Sequence, residues 1–335
     1  MNQKRMPIVP LCELADGQEA DVFVQLVAKD EGTTRSGKPY FRVTFRDAAR
    51  EARAYLWRES AYFEECRTQW RKGEYFKIRG LYRDTQYGPQ LEIHKARPVE
   101  EKDREDGFDE SRCQPSSAFD PSRLYAQLLA MAKDEIYDPG LRDLTVAILE
   151  AHRRELLTLP AATRNHHNFA GGYLEHVVSV VRNAQMLVDK YVIDYSDLQP
   201  PLSRDLVIAG AVLHDIGKVR ELEMREGNPD YTVEGELIGH VLMGRDIIRE
   251  AAAGRAIAPE LLLRLEHIVV SHHRLPEWGA PKPPMTLEAL LVHFADAIDA
   301  NFQMMYTALR DDTPDAAFTS NNNPLRQKIY RGRNG

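Results

Sequence analysis

Nine of the eleven histidines in this 335-residue chain fall between His166 and His293. They are His166, His167, His176, His214, His240, His267, His272, His273 and His293, with Asp296 close behind. Imidazole and carboxylate together suit zinc, manganese, iron or nickel. The adjacent pair His214-Asp215 ends a run, Leu206 to Leu213, that is apolar almost all round and so predicts a central helix. Ser203 is placed to cap that helix, and Asp205 lies in its first turn, where a carboxylate suits the helix dipole. Neighbours on a helix point about 100° apart, so both side chains reach one ion only near the helix end. Gly217 is expected to let the chain turn away there.

The elements that must position these residues are helical. Asp120-Pro121 and Asp138-Pro139 each read as an N-cap followed by proline at the first helical position. Helices are predicted at 121–136, 139–157, 172–191, 203–216, 234–252, 259–271 and 286–310. The first hundred residues read differently. Strand-like runs at 22–27, 40–45, 52–57, 75–79 and 90–93, with a helix around 61–70, give five strands and one helix between the third and fourth. That is the layout of a small OB-type barrel, a fold that often collects single strands by stacking and backbone charge. Lys38, Arg42, Lys77 and Arg79 fall on the polar phase of their strands, and Tyr40, Tyr82 and Tyr87 are candidate stackers, whereas Trp57 is assigned to the core.

The expected organisation is therefore an all-β OB-type barrel over 1–99, a charged linker over 100–119, an all-α domain over 120–312, and a mobile basic tail over 313–335. With 43% hydrophobic and 28% charged residues the chain can build a real core. Its longest apolar run falls far short of the ~20 residues that span a bilayer, and the N-terminus lacks a signal-type apolar segment. Cys12, Cys66 and Cys113 are scattered, which excludes a disulfide framework and a Cys-x-x-Cys zinc knuckle. These features predict a cytoplasmic protein with no membrane partner. The net charge of −7 is uneven: residues 1–99 hold 18 basic and 14 acidic residues, +4, leaving −11 for the remainder. A bound divalent ion would offset part of that acidic excess.

Taken in order, His176, His214-Asp215, His240, His272-His273 and Asp296 form the pattern H…HD…H…HH…D. This series resembles the HD-domain metal-dependent phosphohydrolases. The stretches Asn165–His176, Tyr231–His240, Ser271–His273 and His293–Asp299 narrow the likeness to the YhaM family of 3′–5′ exoribonucleases, which also carry an N-terminal OB domain. Gly37-Lys-Pro39 and Ala54-Tyr-Leu-Trp57 are similar to that family's barrel, so the resemblance runs from about residue 14 to 310. It implies that His176, His214, Asp215 and Asp296 hold one metal, and that His240 with one or both of His272 and His273 adds a second, Asp215 bridging. It implies manganese, although iron, nickel or cobalt suit the same ligands. Arg274 departs from the family, which usually has Gly there, and would narrow or recharge the mouth of the site.

The chemistry is consistent with the resemblance. A divalent ion lowers a water pKa from ~15.7 to about 7, and two ions can clamp both oxygens of a phosphoryl displacement. Asp215 is thus catalytic as well as a ligand, and Lys218, one turn past His214, can set an ammonium on a phosphate oxygen. His166 and His167 could bind phosphate, protonate the leaving oxygen, or pack. Asp299, one turn beyond Asp296, orients a ligand or holds a substrate group. The expected activity is metal-dependent removal of nucleotides from the 3′ end of single-stranded RNA, with single-stranded DNA as an alternative substrate. The rivals are an HD hydrolase of small nucleotides or cyclic dinucleotides, and a non-catalytic RNA-binding protein. The resemblance is also compatible with a homo-oligomer.

Overall fold

The structure is a computed structural model that describes residues 6–34, 36–85, 87–113, 119–163, 167, 169–225, 228–311, 317–321 and 323–332. Strands β1 (Glu19–Thr33), β2 (Pro39–Arg46), β3 (Glu51–Trp57), β4 (Tyr75–Thr85) and β5 (Gly88–Pro98) close into a barrel in the order β1-β2-β3-β5-β4. β1 pairs antiparallel with both β2 and β4, and the β3–β5 pair is parallel. A register shift between Leu26 and Ala28 bends β1 so that its 15 residues can serve both neighbours. Strict alternation fills the interior: Phe41, Val43 and Phe45 of β2 and Ala52, Ala54 and Leu56 of β3 are buried. Helix α1 (Phe63–Thr68) adds Phe63 and Cys66 to this core, and Trp70 follows.

The stretch expected to be a linker is packed over residues 100–113. Phe108 and Cys113 cluster with Phe23, and Asp103 is fully buried between Arg97 and Lys77. A buried carboxylate with two cationic partners anchors this segment, while most of its other charges stay exposed.

The second unit is helical among its described residues, and one hairpin falls within its span of the chain. Its elements are α2 (Pro121–Glu135), α3 (Pro139–Ala151), α4 (Arg153–Leu156), α5 (Gly172–Asp194), α6 (Arg204–Leu213) and α7 (Lys218–Glu221). The hairpin β6 (Leu222–Arg225) and β7 (Asn228–Tyr231) follows, then α8 (Val233–Ile238), α9 (His240–Ala252), α10 (Pro259–Ser271) and α11 (Leu287–Asp311). Asp120 and Asp138 cap α2 and α3, each with proline at the first position. α6 is the axis of the unit, packed against α2, α3, α5, α10 and α11, and every residue from Leu206 to Leu213 is buried. Ser203 Oγ accepts from Leu206 N as its cap, while Asp205 accepts the backbone N–H groups of Tyr137 and Asp138 and so ties α6 to the start of α3. No described helix is long and apolar enough to cross a membrane.

Three sequence expectations need correction here. The helix expected over 234–252 is broken at Gly239, whose φ of +80° is left-handed, so His240 opens α9 instead of lying within a helix. Gly217 is right-handed (φ −61°) and makes no turn of the kind expected; its role is space, because a Cβ there would lie 1.9 Å from His240 O. In the tail, the described residues are anchored: Phe318 bridges to Tyr330, Thr319 and Ile329 are buried, and Arg331 Nη1 donates to Leu309 O at 2.7 Å.

Candidate metal centre

Helix ends deliver most of the candidate ligand atoms, and Asp296 lies midway along α11. His214 and Asp215 follow the last turn of α6, and His272 and His273 follow α10. The last carbonyls of a helix lack intrahelical donors. His214 Nδ1 donates to Ala211 O and His272 Nδ1 to Val269 O, both at 2.8 Å. A carbonyl only accepts, so these bonds fix the proton on Nδ1 and leave Nε2 with its lone pair. His176, on α5, gives its Nδ1 proton to Asp299 Oδ2 at 2.7 Å. His240 gives its Nδ1 proton to Glu221 Oε1 at 2.9 Å.

The Nε2 atoms fall into two groups joined by one carboxylate. His176 Nε2 lies 3.4 Å from His214 Nε2, 3.4 Å from Asp296 Oδ1 and 3.6 Å from Asp215 Oδ2. On the other side, Asp215 Oδ1 lies 3.5 Å from His240 Nε2 and 3.6 Å from His272 Nε2, and His240 Nε2 is 2.9 Å from His273 Nε2. Asp215 Oδ1 and His272 Nε2 are buried without a hydrogen-bond partner. Buried polar atoms are rarely left so, and a shared cation would satisfy both. The donor set, imidazole plus carboxylate, fits a divalent transition ion in each group.

On the His272–His273 side the electrostatics agree with that fit. Burial pushes the His273 pKa down to about 2, with His272 and His240 adding to the effect, and burial also lowers His272. Both rings are therefore neutral and able to coordinate. Burial opposes charge on His176, yet Asp215, Asp296 and Asp299 raise its pKa well above the ordinary value. Burial likewise opposes ionisation of Asp215, but Lys218 and His214 hold it well below the usual carboxylate range. Lys218 Nζ donates to Asp215 Oδ2 at 2.6 Å and is itself buried. Four acidic groups, Asp215, Asp296, Asp299 and Glu221, thus face one lysine, a balance that attracts cations.

Of the remaining sequence candidates, His167 is buried at φ +47° with Nε2 3.3 Å from Asp299 Oδ2, while His166 lies outside the described residues. Arg274 is exposed, 5.9 Å from the Phe294 ring centre, in the left-handed region at φ +66°. That conformation suits glycine and explains why a glycine is at home there. Sequence reasoning missed Glu221 and gave His293 no place in the site. Glu221 is buried and accepts from both the ring and the backbone N–H of His240; His293 Nδ1 donates to His272 O at 2.6 Å. Neither carries a periodic signal, because each acts across a tertiary contact.

On the barrel, the candidate contacts separate. Lys77 is ion-paired with Asp103 and Asp106, and Arg79 makes a two-pronged pair with Asp21 at 2.6 and 2.8 Å. Lys38 pairs with Glu59 and Arg42 with Asp30 in exposed positions. Tyr82 is 3% exposed and is a core residue, not a stacker, with the Arg50 guanidinium 4.8 Å from its ring. Trp57, assigned to the core from sequence, is 49% exposed. Alternation along β3 puts Arg53, Tyr55 and Trp57 outside, and the Tyr55 and Trp57 rings stack at 13° with centres 5.8 Å apart. Tyr40 lies 5.1 Å from Trp57, and Tyr55 and Trp57 share a groove with Thr85, Tyr87 and Gln90.

Residues 173–301 match the family model described as HD domain. Among solved structures, the chain is similar to the second OB-fold domain of replication protein A from Methanococcus maripaludis, at 19% identity and a TM-score of 0.23, over 28% of this chain and 97% of that one. A crystal structure of a domain of replication protein A from the same organism matches at 15% identity and a TM-score of 0.24, over 28% and 97%. RecG bound to a three-way DNA junction matches at 11% identity and a TM-score of 0.25, over 58% of this chain and 40% of that chain. This chain is a closed five-stranded barrel of OB type followed by a helical HD domain, and an HD domain implies metal-dependent phosphohydrolase activity.

Proposed function

We propose that this chain is a metal-dependent phosphodiesterase that removes nucleotides from the 3′ end of single-stranded RNA. The observation that carries the reading is the division of the Asp215 carboxylate, Oδ2 toward His176 and His214 and Oδ1 toward His240 and His272. His176, His214, Asp215 and Asp296 would hold one divalent ion, and Asp215, His240, His272 and His273 a second. When bound, such ions neutralise phosphate charge and bring a water pKa to about 7. Manganese is the ion implied by the resemblance to YhaM-type exoribonucleases, and iron, nickel and cobalt meet the same donors.

The protein's own groups do the rest. Asp299 and Glu221 fix the rings of His176 and His240 through their Nδ1 protons. Lys218, held by Asp215, is the ammonium available to a non-bridging phosphate oxygen. On the barrel, Tyr40, Tyr55, Trp57 and Tyr87 offer ring faces to unpaired bases. Stacking is worth about 1–3 kcal/mol per base and tolerates any sequence, which suits an enzyme that walks along a strand. Lys38 and Arg42 beside them have only exposed ion-pair partners to release.

The test uses metal-stripped protein, manganese added back, and single-stranded RNA and DNA labelled at the 5′ end. A ladder shortening from the 3′ end, abolished by Asp215→Ala while RNA binding persists, supports the proposal. Intact strands with manganese, iron, nickel and cobalt, alongside turnover of small nucleotides or cyclic dinucleotides, would overturn it in favour of a small-molecule hydrolase.

A further inference from the structure

The opposite side of the helix that supplies Asp296 is unusual. α11 exposes Leu287, Leu290, Phe294, Ile298, Phe302 and Met305, and no exposed residue from Leu287 to Tyr306 is charged. A helix facing only water normally presents a polar face. At 100° per residue, this stripe is centred about 180° round the helix from Asp296, so the ligand side and the apolar side do not compete. The six residues span 18 positions, or about 27 Å. With Phe302 72% exposed and the other five between 37% and 50%, their exposed area is on the order of 500 Å². That matches the largest patches seen on monomers and supplies most of the roughly 800 Å² per partner found in stable interfaces.

The spacing of the stripe identifies the partner. Its steps are 3, 4, 4, 4 and 3 residues, a palindrome about position 296. Turned end for end, the helix presents the same row, with Leu287 meeting Met305, Leu290 meeting Phe302, and Phe294 meeting Ile298. A two-fold contact requires a surface complementary to itself, and this one is. Residues 100–335 carry a net charge of −11, so like units of two copies repel at long range. The stripe itself carries no charge, so repulsion is weakest there, and exposed Arg274, 5.9 Å from the Phe294 ring, is a cation at its edge.

We propose that two copies of this chain associate through α11, the helices antiparallel and the two-fold axis passing beside position 296. The experiment is sedimentation velocity of the full chain across micromolar concentrations, with far-UV circular dichroism to check folding. The wild type should sediment with a mass of two copies, or of a larger even number. Phe302→Glu and Leu290→Lys, each on an exposed position away from the ligands, should each raise the dissociation constant at least roughly 100-fold with unchanged helicity. The double variant Leu290→Lys/Phe302→Glu places opposite charges across the two-fold and should recover association. A monomeric wild type overturns the proposal. So does association untouched by both single changes, which would place the contact elsewhere, and so does a double variant no better than the singles, which would exclude the antiparallel register.

Discussion

Glu221 Oε1 accepts two hydrogen bonds from His240, one from its backbone N–H and one from ring Nδ1, each at 2.9 Å. One atom therefore fixes both the start of α9 and the tautomer of the ring that opens it. Glu221→Gln keeps the shape but loses the charge that favours an Nδ1–H ring. The variant should bind its second metal equivalent about 10–100-fold more weakly, leaving the first largely unchanged. Metal content after dialysis against graded chelator reads this directly, and equal loss of both equivalents would contradict it.

Gly217 has no room for a methyl group. A Cβ there would sit 1.9 Å from His240 O and 2.5 Å from Gly244 N, both backbone atoms. Gly217→Ala should therefore push α9 away from the end of α6, destabilising the fold by roughly 1–3 kcal/mol. It should also separate His240 from Asp215, so activity falls at least tenfold even at temperatures where the variant is folded. Thermal unfolding and turnover measured on one preparation would show whether the two losses travel together.

Trp57 and Tyr82 make a paired prediction on the barrel. Trp57→Ala removes an exposed ring and should weaken single-stranded RNA binding by about 1–3 kcal/mol with little change in stability. Tyr82→Ala removes a buried ring and should destabilise the barrel by roughly 3–5 kcal/mol. Strand-binding titrations and urea unfolding separate the two; a Trp57 variant that binds RNA normally would remove the aromatic face from the proposed function.

Asp103 gives the barrel an acid limit. Two hydrogen bonds from Arg97, at 2.6 and 2.7 Å, are the main reason its carboxyl is held far below the ordinary range, against the opposing effect of burial. Because the folded-state pKa is depressed, the stabilisation is complete above the ordinary carboxylate pKa of about 3.9 and is lost as pH falls below it. Urea midpoints should therefore begin to drop as pH falls below about 4 and keep dropping at more acid pH. Asp103→Asn should flatten that slope and lower stability at pH 7 by roughly 2–4 kcal/mol.

How much of this was legible depended on whether a feature is local. The barrel and helices follow from alternation and caps that lie within a few residues of one another, as at Asp138-Pro139. His176, His214, Asp215, His240, His272, His273 and Asp296 could be named as candidate ligands because their series resembles the HD-domain pattern, in a stretch dense in imidazole and carboxylate. Glu221 could not be named, since what distinguishes it is the ring it meets 19 residues later. Lys77 and Arg79 read as free charges because Asp103, Asp106 and Asp21 are distant in sequence. Trp57 is a different kind of miss: the inward alternation of Ala52, Ala54 and Leu56 places it on the outer face within its own strand.

Because both groups of candidate ligands share the Asp215 carboxylate, ions held in the two groups would be thermodynamically linked. Whatever loading one group does to the affinity of the other, the reverse loading does by the same factor. Asp215, partly neutralised by an ion in one group, would be a weaker donor to the other, so loading should show negative cooperativity. Over a range of ion concentrations the protein would then carry a single ion, and the level at which it becomes doubly loaded would be set at Asp215.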